Sequence, residues 1–189
     1  MARKKLEYEA LMKATEKLLL EQGYGGFNFS ILSSHLHIGR STLYEYYQTK
    51  DELIADYMNN VMDSFTEELQ SIAGLDDVKE QFILLIRLMI KYSHIHSIIQ
   101  MIPLLQSKSE VVVNLKKKFA EEHLHILQHV KDIIEKGKKE KIVKQEIPTD
   151  VLATIIFHTI NDPVFLEMDK KVWADWIWEI IYHGMKPEK

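Results

Sequence analysis

Cysteine is absent from the 189-residue chain, which excludes disulfides and thiolate-ligated zinc sites and suits a reducing compartment. Proline and glycine are scarce, with four and seven residues. No alternation of apolar and polar residues lasts long enough for a strand, and no internal repeat is present. Together these absences point to helices from end to end. Long apolar runs are missing too. The longest, FILLIRLMI, contains Arg87 and is far too short to span a bilayer. The N-terminus, MARKKLEYEALMKATEKLLL, begins basic but carries Glu7, Glu9 and Glu16 where a signal peptide needs an unbroken apolar core. A cytoplasmic protein without membrane association is expected. Gly-rich phosphate loops, a Ser/His/Asp pattern in a turn context and an HExxH motif are lacking as well. No catalytic residue, and so no enzyme, is expected.

Hydrophobic residues make up 46% of the chain, enough for a sizeable core. The net charge of −4 is uneven: residues 1–50 hold seven Lys/Arg against five Asp/Glu, about +2, and the remainder carries about −6. This is a mildly basic end on an acidic body. Periodicity divides the chain into about nine helices. The first runs from about Leu6 to Gln22, with Leu11, Ala14, Leu18 and Tyr8, Met12, Thr15, Leu19 as its apolar stripe and Gly23 as its stop. A short second helix follows Asn28, a good N-cap, and ends near Leu36. His37-Ile38-Gly39 turns the chain into a third, roughly Arg40 to Tyr46. The fourth reaches from Lys50 to about Ile72. A fifth covers VKEQFILLIRLMIKYSHIHSIIQ up to Pro103, which ends or kinks it, and a sixth piece is short. The seventh spans about Glu110 to Lys136. The eighth starts at Pro148-Thr149-Asp150 and stops at Asp162-Pro163, and the ninth runs from about Lys171 to Gly184.

Two short helices joined by a tight turn, between a longer helix and another, have the layout of a helix-turn-helix unit. This gives the stretch STLYEYYQTKDELI, residues 41–54, a place. On a helix starting at Arg40, Leu43 and Tyr47 face inward, Ser41, Thr42 and Glu45 face away, and Arg40, Tyr44 and Tyr46 lie on the flanks. Phosphate oxygens accept hydrogen bonds from hydroxyls, backbone amides and helix N-termini. Thr42, Tyr44, Tyr46 and Lys50 supply hydroxyls and a cation, and Arg40 and Ser41 stand where base edges would be read. Of these, Arg40 alone can grip a guanine bidentately.

The segment EQGYGGFNFSILSSHLHIGRSTLYEYYQTKDEL resembles the DNA-binding end of the tetracycline-repressor (TetR) family of bacterial transcription regulators. Gly23-Tyr24 match the family's G-Y/F, Asn28 falls where it caps helix two, Thr42-Leu43-Tyr44 match T-L-Y, Tyr47 takes the usual Phe position, and Lys50-Asp51-Glu52-Leu53 match K-E-E-L. His37 stands in place of the usual turn glycine, Gly39 in place of a Ser-like cap and Ser33 in place of a small Ala. The resemblance covers about residues 8–55. It implies an all-α protein with a three-helix DNA-binding domain over 1–48 and an effector-binding and dimerisation domain over 49–189. It also implies DNA contacts from Asn28, Arg40, Ser41, Thr42, Tyr44, Tyr46 and Lys50. The implied partners are a double-stranded operator, a second copy of the chain and a small-molecule effector.

In such a protein the last two helices of each subunit form the dimer. Ile155 and Thr159 on helix eight, with Trp173, Trp176, Ile177 and Ile180 on helix nine, are the expected interface. The mixed lining RLMIKYSHIHSIIQM suggests an effector pocket with Arg87, Tyr92, His96, Gln100, His123 and His158 as its polar groups, although such a stretch also reads as plain core. Glu121, His125 and His129 share a helix face at a spacing able to hold a metal, but same-face histidines are common on solvated helices and no acidic cluster completes the set. No metal and no cofactor are expected. The expected activity is ligand-responsive regulation, with repression as its default action. A DNA-organising or cell-division protein on the same fold, lacking an effector, is the alternative reading.

Overall fold

The computed structural model describes residues 7–160 and 169–187, apart from the side chains of 158–160. Among the described residues there are nine α-helices and no strand: α1 (Tyr8–Gly26), α2 (Phe29–Leu36), α3 (Arg40–Tyr44), α4 (Lys50–Ala73), α5 (Val78–Lys91), α6 (His96–Ile99), α7 (Glu110–Lys139), α8 (Thr149–Ile160) and α9 (Lys170–Met185). They form two compact units. One contains the chain up to Met62 together with Ser97–Phe119, the other Asp63–His96 together with the chain from Ala120 on. The boundary drawn at residue 48 from the sequence lies just before α4, whose first half belongs to the N-terminal unit. Among the described residues no single helix is long and apolar enough to cross a membrane.

In the N-terminal unit, α1 buries Leu11, Met12, Ala14, Thr15, Leu18 and Leu19, which is the expected stripe except for Tyr8, half exposed. Phe27, Phe29, Leu32, Leu43, Leu53, Ile54 and Met58 are buried as well. Two tyrosine–carboxylate bonds add to the apolar contacts: Tyr57 donates to Glu16 at 2.9 Å and Tyr47 to Asp56 at 2.6 Å. Burial, and then the neighbouring carboxylate, raises both phenols above their ordinary pKa, so they remain protonated donors.

Gly23 stops α1 as expected, but the chain resumes a helical turn to Gly26 beyond the kink. Its φ of 65° and ψ of 179° lie in a region essentially restricted to glycine. A Cβ on Gly23 would meet nothing within 4 Å, so Gly23→Ala isolates the backbone cost, about 1–3 kcal/mol. Gly25 also faces open space, without a positive φ. In urea unfolding, Gly23→Ala is expected to lose that stability and Gly25→Ala to lose none; equal midpoints would show that the kink does not require glycine.

The second unit is built around α5, which packs against both α8 and α9. Phe82, Leu85 and Ile86 of α5 meet Ile133 and Ile134 of α7, Leu152 and Ile156 of α8, and Trp173, Ile177 and Ile181 of α9 in one buried cluster. Gln81 is buried and its amide nitrogen lies 2.9–3.2 Å from the carbonyls of Ile72, Ala73 and Leu75, covering the open C-terminal end of α4. The fifth helix, expected to continue to Gln100, ends at Lys91. The Ser93 hydroxyl donates to the Ile90 carbonyl at 2.8 Å, and a 3₁₀ turn over Ser93–Ile95 precedes α6. Local side-chain bonding of this kind competes with helix propagation.

Candidate nucleic-acid interface

Helices α2 and α3 form the helix-turn-helix, and each end has a physical cause. Asn28 Oδ1 accepts the amides of Ser30 and Ile31, both at 3.0 Å, and its Nδ2 donates to the Gly26 carbonyl at 3.2 Å. The expected N-cap is therefore present, and the capping leaves Asn28 little freedom for a second role. At the other end His37 adopts the left-handed conformation itself, φ 54° and ψ 43°, at the position where the resemblance expects glycine. The amides of His37 and Ile38 close back on Ser34 and Ser33, which satisfies the last carbonyls of α2. Gly39 needs no special freedom, since its φ is −72°.

α3 ends at Tyr44 rather than Tyr46; the amides of Tyr46 and Tyr47 both turn back to the Leu43 carbonyl at 3.0 Å. Leu43 is fully buried, as expected. Thr42 is not outward-facing: it is 6% exposed, because one helical step separates it from Leu43 and both share the inner side of a helix only one turn long. Thr42 is thereby corrected from a surface hydroxyl to a packed one. Tyr47, expected in the core, is half-buried and bonded to Asp56. Arg40, Ser41, Tyr44 and Tyr46 are exposed.

Tyr44 does more than present a hydroxyl. Its ring meets Phe29 edge-on, with centroids 5.1 Å apart, and the Arg40 guanidinium lies 5.9 Å over it. Buried Phe29 thus holds Tyr44, and Tyr44 lies against Arg40. Lys50 also differs from the expectation. Its ammonium donates to the carbonyls of Tyr24 at 2.7 Å and Phe27 at 3.1 Å, above the Tyr24 ring. Two of its three protons are spent inside the unit, because the turn after Gly23 brings those carbonyls to the start of α4. Asp51, which the sequence marks only as part of K-E-E-L, is buried and accepts the Tyr24 hydroxyl at 2.9 Å.

Residues 11–57 match the model of the bacterial regulatory proteins of the tetR family. This segment is a tetR-family domain. The fold of the whole chain is that of solved transcription regulators. The ketosteroid regulator KstR2 of Mycobacterium tuberculosis is 13% identical over 100% of both chains, with a TM-score of 0.78. FadR from Bacillus subtilis, solved with stearoyl-CoA, is 20% identical over 94% of this chain and 99% of its own, with a TM-score of 0.66. AibR, solved with isovaleryl coenzyme A and operator DNA, is 14% identical over 93% and 97%, with a TM-score of 0.70. No curated protein matches the sequence.

Beyond the tetR-family domain, the other expected sites are placed as follows. On α9, Trp176 and Ile180 are 58% and 70% exposed, and on α8 Ile155 is 46% exposed. Trp173 and Ile177, expected at the same interface, belong to the core cluster instead: α9 buries the flank of its apolar stripe that also carries Ala174, Ile181 and Met185. Thr159 and His158 lie outside the described side chains. Among the polar groups expected around an effector, Arg87 makes a surface ion pair with Asp175 at 3.3 Å, and Gln100 and His123 are exposed. Tyr92 and His96 are half-buried; the Tyr92 hydroxyl donates to Glu68 at 2.8 Å and its ring packs edge-on against Phe65. An open concavity of about 720 Å³ is lined by Lys141, Val143, Lys144, Gln145, Glu146 and Pro187, none of them among the expected pocket residues. Among the described residues no group of three or more His, Cys, Asp or Glu could hold a metal ion; Glu121, His125 and His129 do not converge.

Proposed function

We propose that the protein is a ligand-responsive transcriptional repressor, acting in the cytoplasm as a homodimer on a palindromic operator. The observation that carries DNA binding is the outer side of the helix-turn-helix. Arg40, Ser41, Tyr44 and Tyr46 are exposed together over a buried Phe29–Leu32–Leu43 base, the combination of cation and hydroxyls that phosphate and base edges require. The third proton of Lys50 adds a donor. Dimerisation is supported by the exposed apolar side chains Val151 and Ile155 on α8 and Val172, Trp176 and Ile180 on α9, more than a monomer surface needs. Two copies would present two helix-turn-helix units to two half-sites one helical turn apart. Ligand response is supported by the likeness in fold to FadR with its bound stearoyl-CoA. Tyr92 and His96, half-buried beside an apolar core, are this chain's candidates for effector contacts.

The test is a selection of genomic fragments with purified protein at moderate salt, followed by footprinting. One or two palindromic sites are expected; scattered sites would favour the DNA-organising alternative. On the retained site, Arg40→Ala is expected to relax preference at a single base pair by about 1–3 kcal/mol. Equal loss on every sequence would reassign Arg40 to a phosphate.

A further inference from the structure

Asp51 is 5% exposed, and both carboxylate oxygens are occupied. Oδ1 accepts the Tyr24 hydroxyl at 2.9 Å. Oδ2 accepts two backbone amides from far along the chain, Gln106 at 2.7 Å and Ser107 at 2.8 Å. Those amides lie between a 3₁₀ turn that ends at Leu104 and α7, which begins at Glu110, so no helix of their own satisfies them. The flanks are fixed as well. Leu105 is 2% exposed, its carbonyl accepts the Lys116 ammonium at 2.7 Å, and Ser107 Oγ accepts the Ser109 amide at 3.2 Å. Lys50, the preceding residue, holds the carbonyls of Tyr24 and Phe27. Two consecutive side chains in the first turn of α4 therefore grip the link between α1 and α2 on one side and residues 106–107 on the other.

We propose that Asp51 is a positioning residue for DNA binding: it clamps residues 106–107 to the first turn of α4, and closure of that clamp holds the helix-turn-helix in its binding geometry. A carboxylate this buried is tolerated only with its hydrogen bonds made, so the clamp has two states rather than a continuum. The clamped segment, Ser97–Phe119, continues at both ends into chain belonging to the other compact unit. A change there that draws on residues 106–107 opens the clamp. The proposal rests on the DNA-binding reading above.

The test is amide exchange on the full chain, paired with DNA affinity. Asp51→Asn keeps the size but replaces one acceptor oxygen by a donor. The Gln106 and Ser107 amides are expected to exchange at least tenfold faster in that variant, with α2 amides unchanged. Tyr24→Phe leaves Oδ2 in place and is expected to leave both amides protected. On a fragment retained by the wild type, Asp51→Asn is expected to bind at least tenfold more weakly with an unchanged salt slope, since no phosphate contact is removed. Unchanged exchange at 106–107 overturns the clamp, and faster exchange with unchanged affinity overturns its role in positioning. Should Asp51→Asn not fold, the wild type decides by reciprocity. Adding the retained fragment must slow exchange at both amides, and no slowing overturns the proposal. If the wild type retains no fragment at all, the DNA-binding reading fails, while the exchange arm, which needs no DNA, still decides the clamp.

Discussion

Replacing Trp176 and Ile180 together by glutamate is expected to leave a folded monomer that has lost about a hundredfold or more of its affinity for a two-half-site operator. Both side chains are largely exposed, at 58% and 70%, so the charge costs the isolated chain little, within about 0.5 kcal/mol for surface changes of this kind. In a dimer the same positions would place four carboxylates in an apolar contact, and burying an unpaired charge costs far more than such a contact contributes. DNA affinity falls because each half-site is then bound without the effective concentration that a linked second site supplies. Light scattering gives the mass and a gel-shift titration the affinity. A variant that keeps the wild-type dimer mass would place the interface away from α9.

Trp173→Ala is expected to act in the opposite way, lowering stability by about 3–5 kcal/mol whether or not the chain dimerises. Trp173 is 1% exposed and sits with Phe82, Leu152 and Ile177 in the core of the second unit. Truncation leaves a large cavity among side chains drawn from several helices. Thermal unfolding of Trp173→Ala in the monomeric Trp176/Ile180 background removes any contribution from association. A loss below about 1 kcal/mol there would mean that the indole is not part of the core. Three residues along one helix thus separate a side chain whose loss is felt in folding from one whose loss is felt in assembly.

That contrast also shows what the sequence could and could not reveal. The spacing of Trp173, Trp176, Ile177 and Ile180, at i, i+3, i+4 and i+7, marks one broad apolar stripe, but such a stripe gives no sign of which flank meets its own chain and which meets another. Among the described residues element types were legible, α4 and α9 begin and end close to where periodicity and caps place them, and α8 begins there, its expected stop at Asp162-Pro163 lying outside the described residues. The break after Lys91 was not, since it depends on one hydroxyl returning to a carbonyl. In the helix-turn-helix, Arg40, Ser41, Tyr44 and Tyr46 are exposed as expected. Thr42 is buried because α3 is too short for its inner side to be a single row. The part played by Asp51 had no signal at all: its distant partners are backbone amides, which every residue but proline carries, so no side chain at 106 or 107 announces the bond.

The division of the chain into units has a consequence for its birth on the ribosome. The unit that carries the helix-turn-helix is completed by Ser97–Phe119, and the amides that Asp51 grips are made 55 and 56 residues after it. At roughly 5–20 residues per second, that carboxylate waits several seconds for its partners. A nascent chain halted soon after residue 62 would have α1, α2 and α3 and still lack the segment that the proposed clamp holds. If the clamp acts as proposed, competence to bind DNA would come only after translation has passed well beyond residue 107, so a product truncated before it would bind DNA poorly.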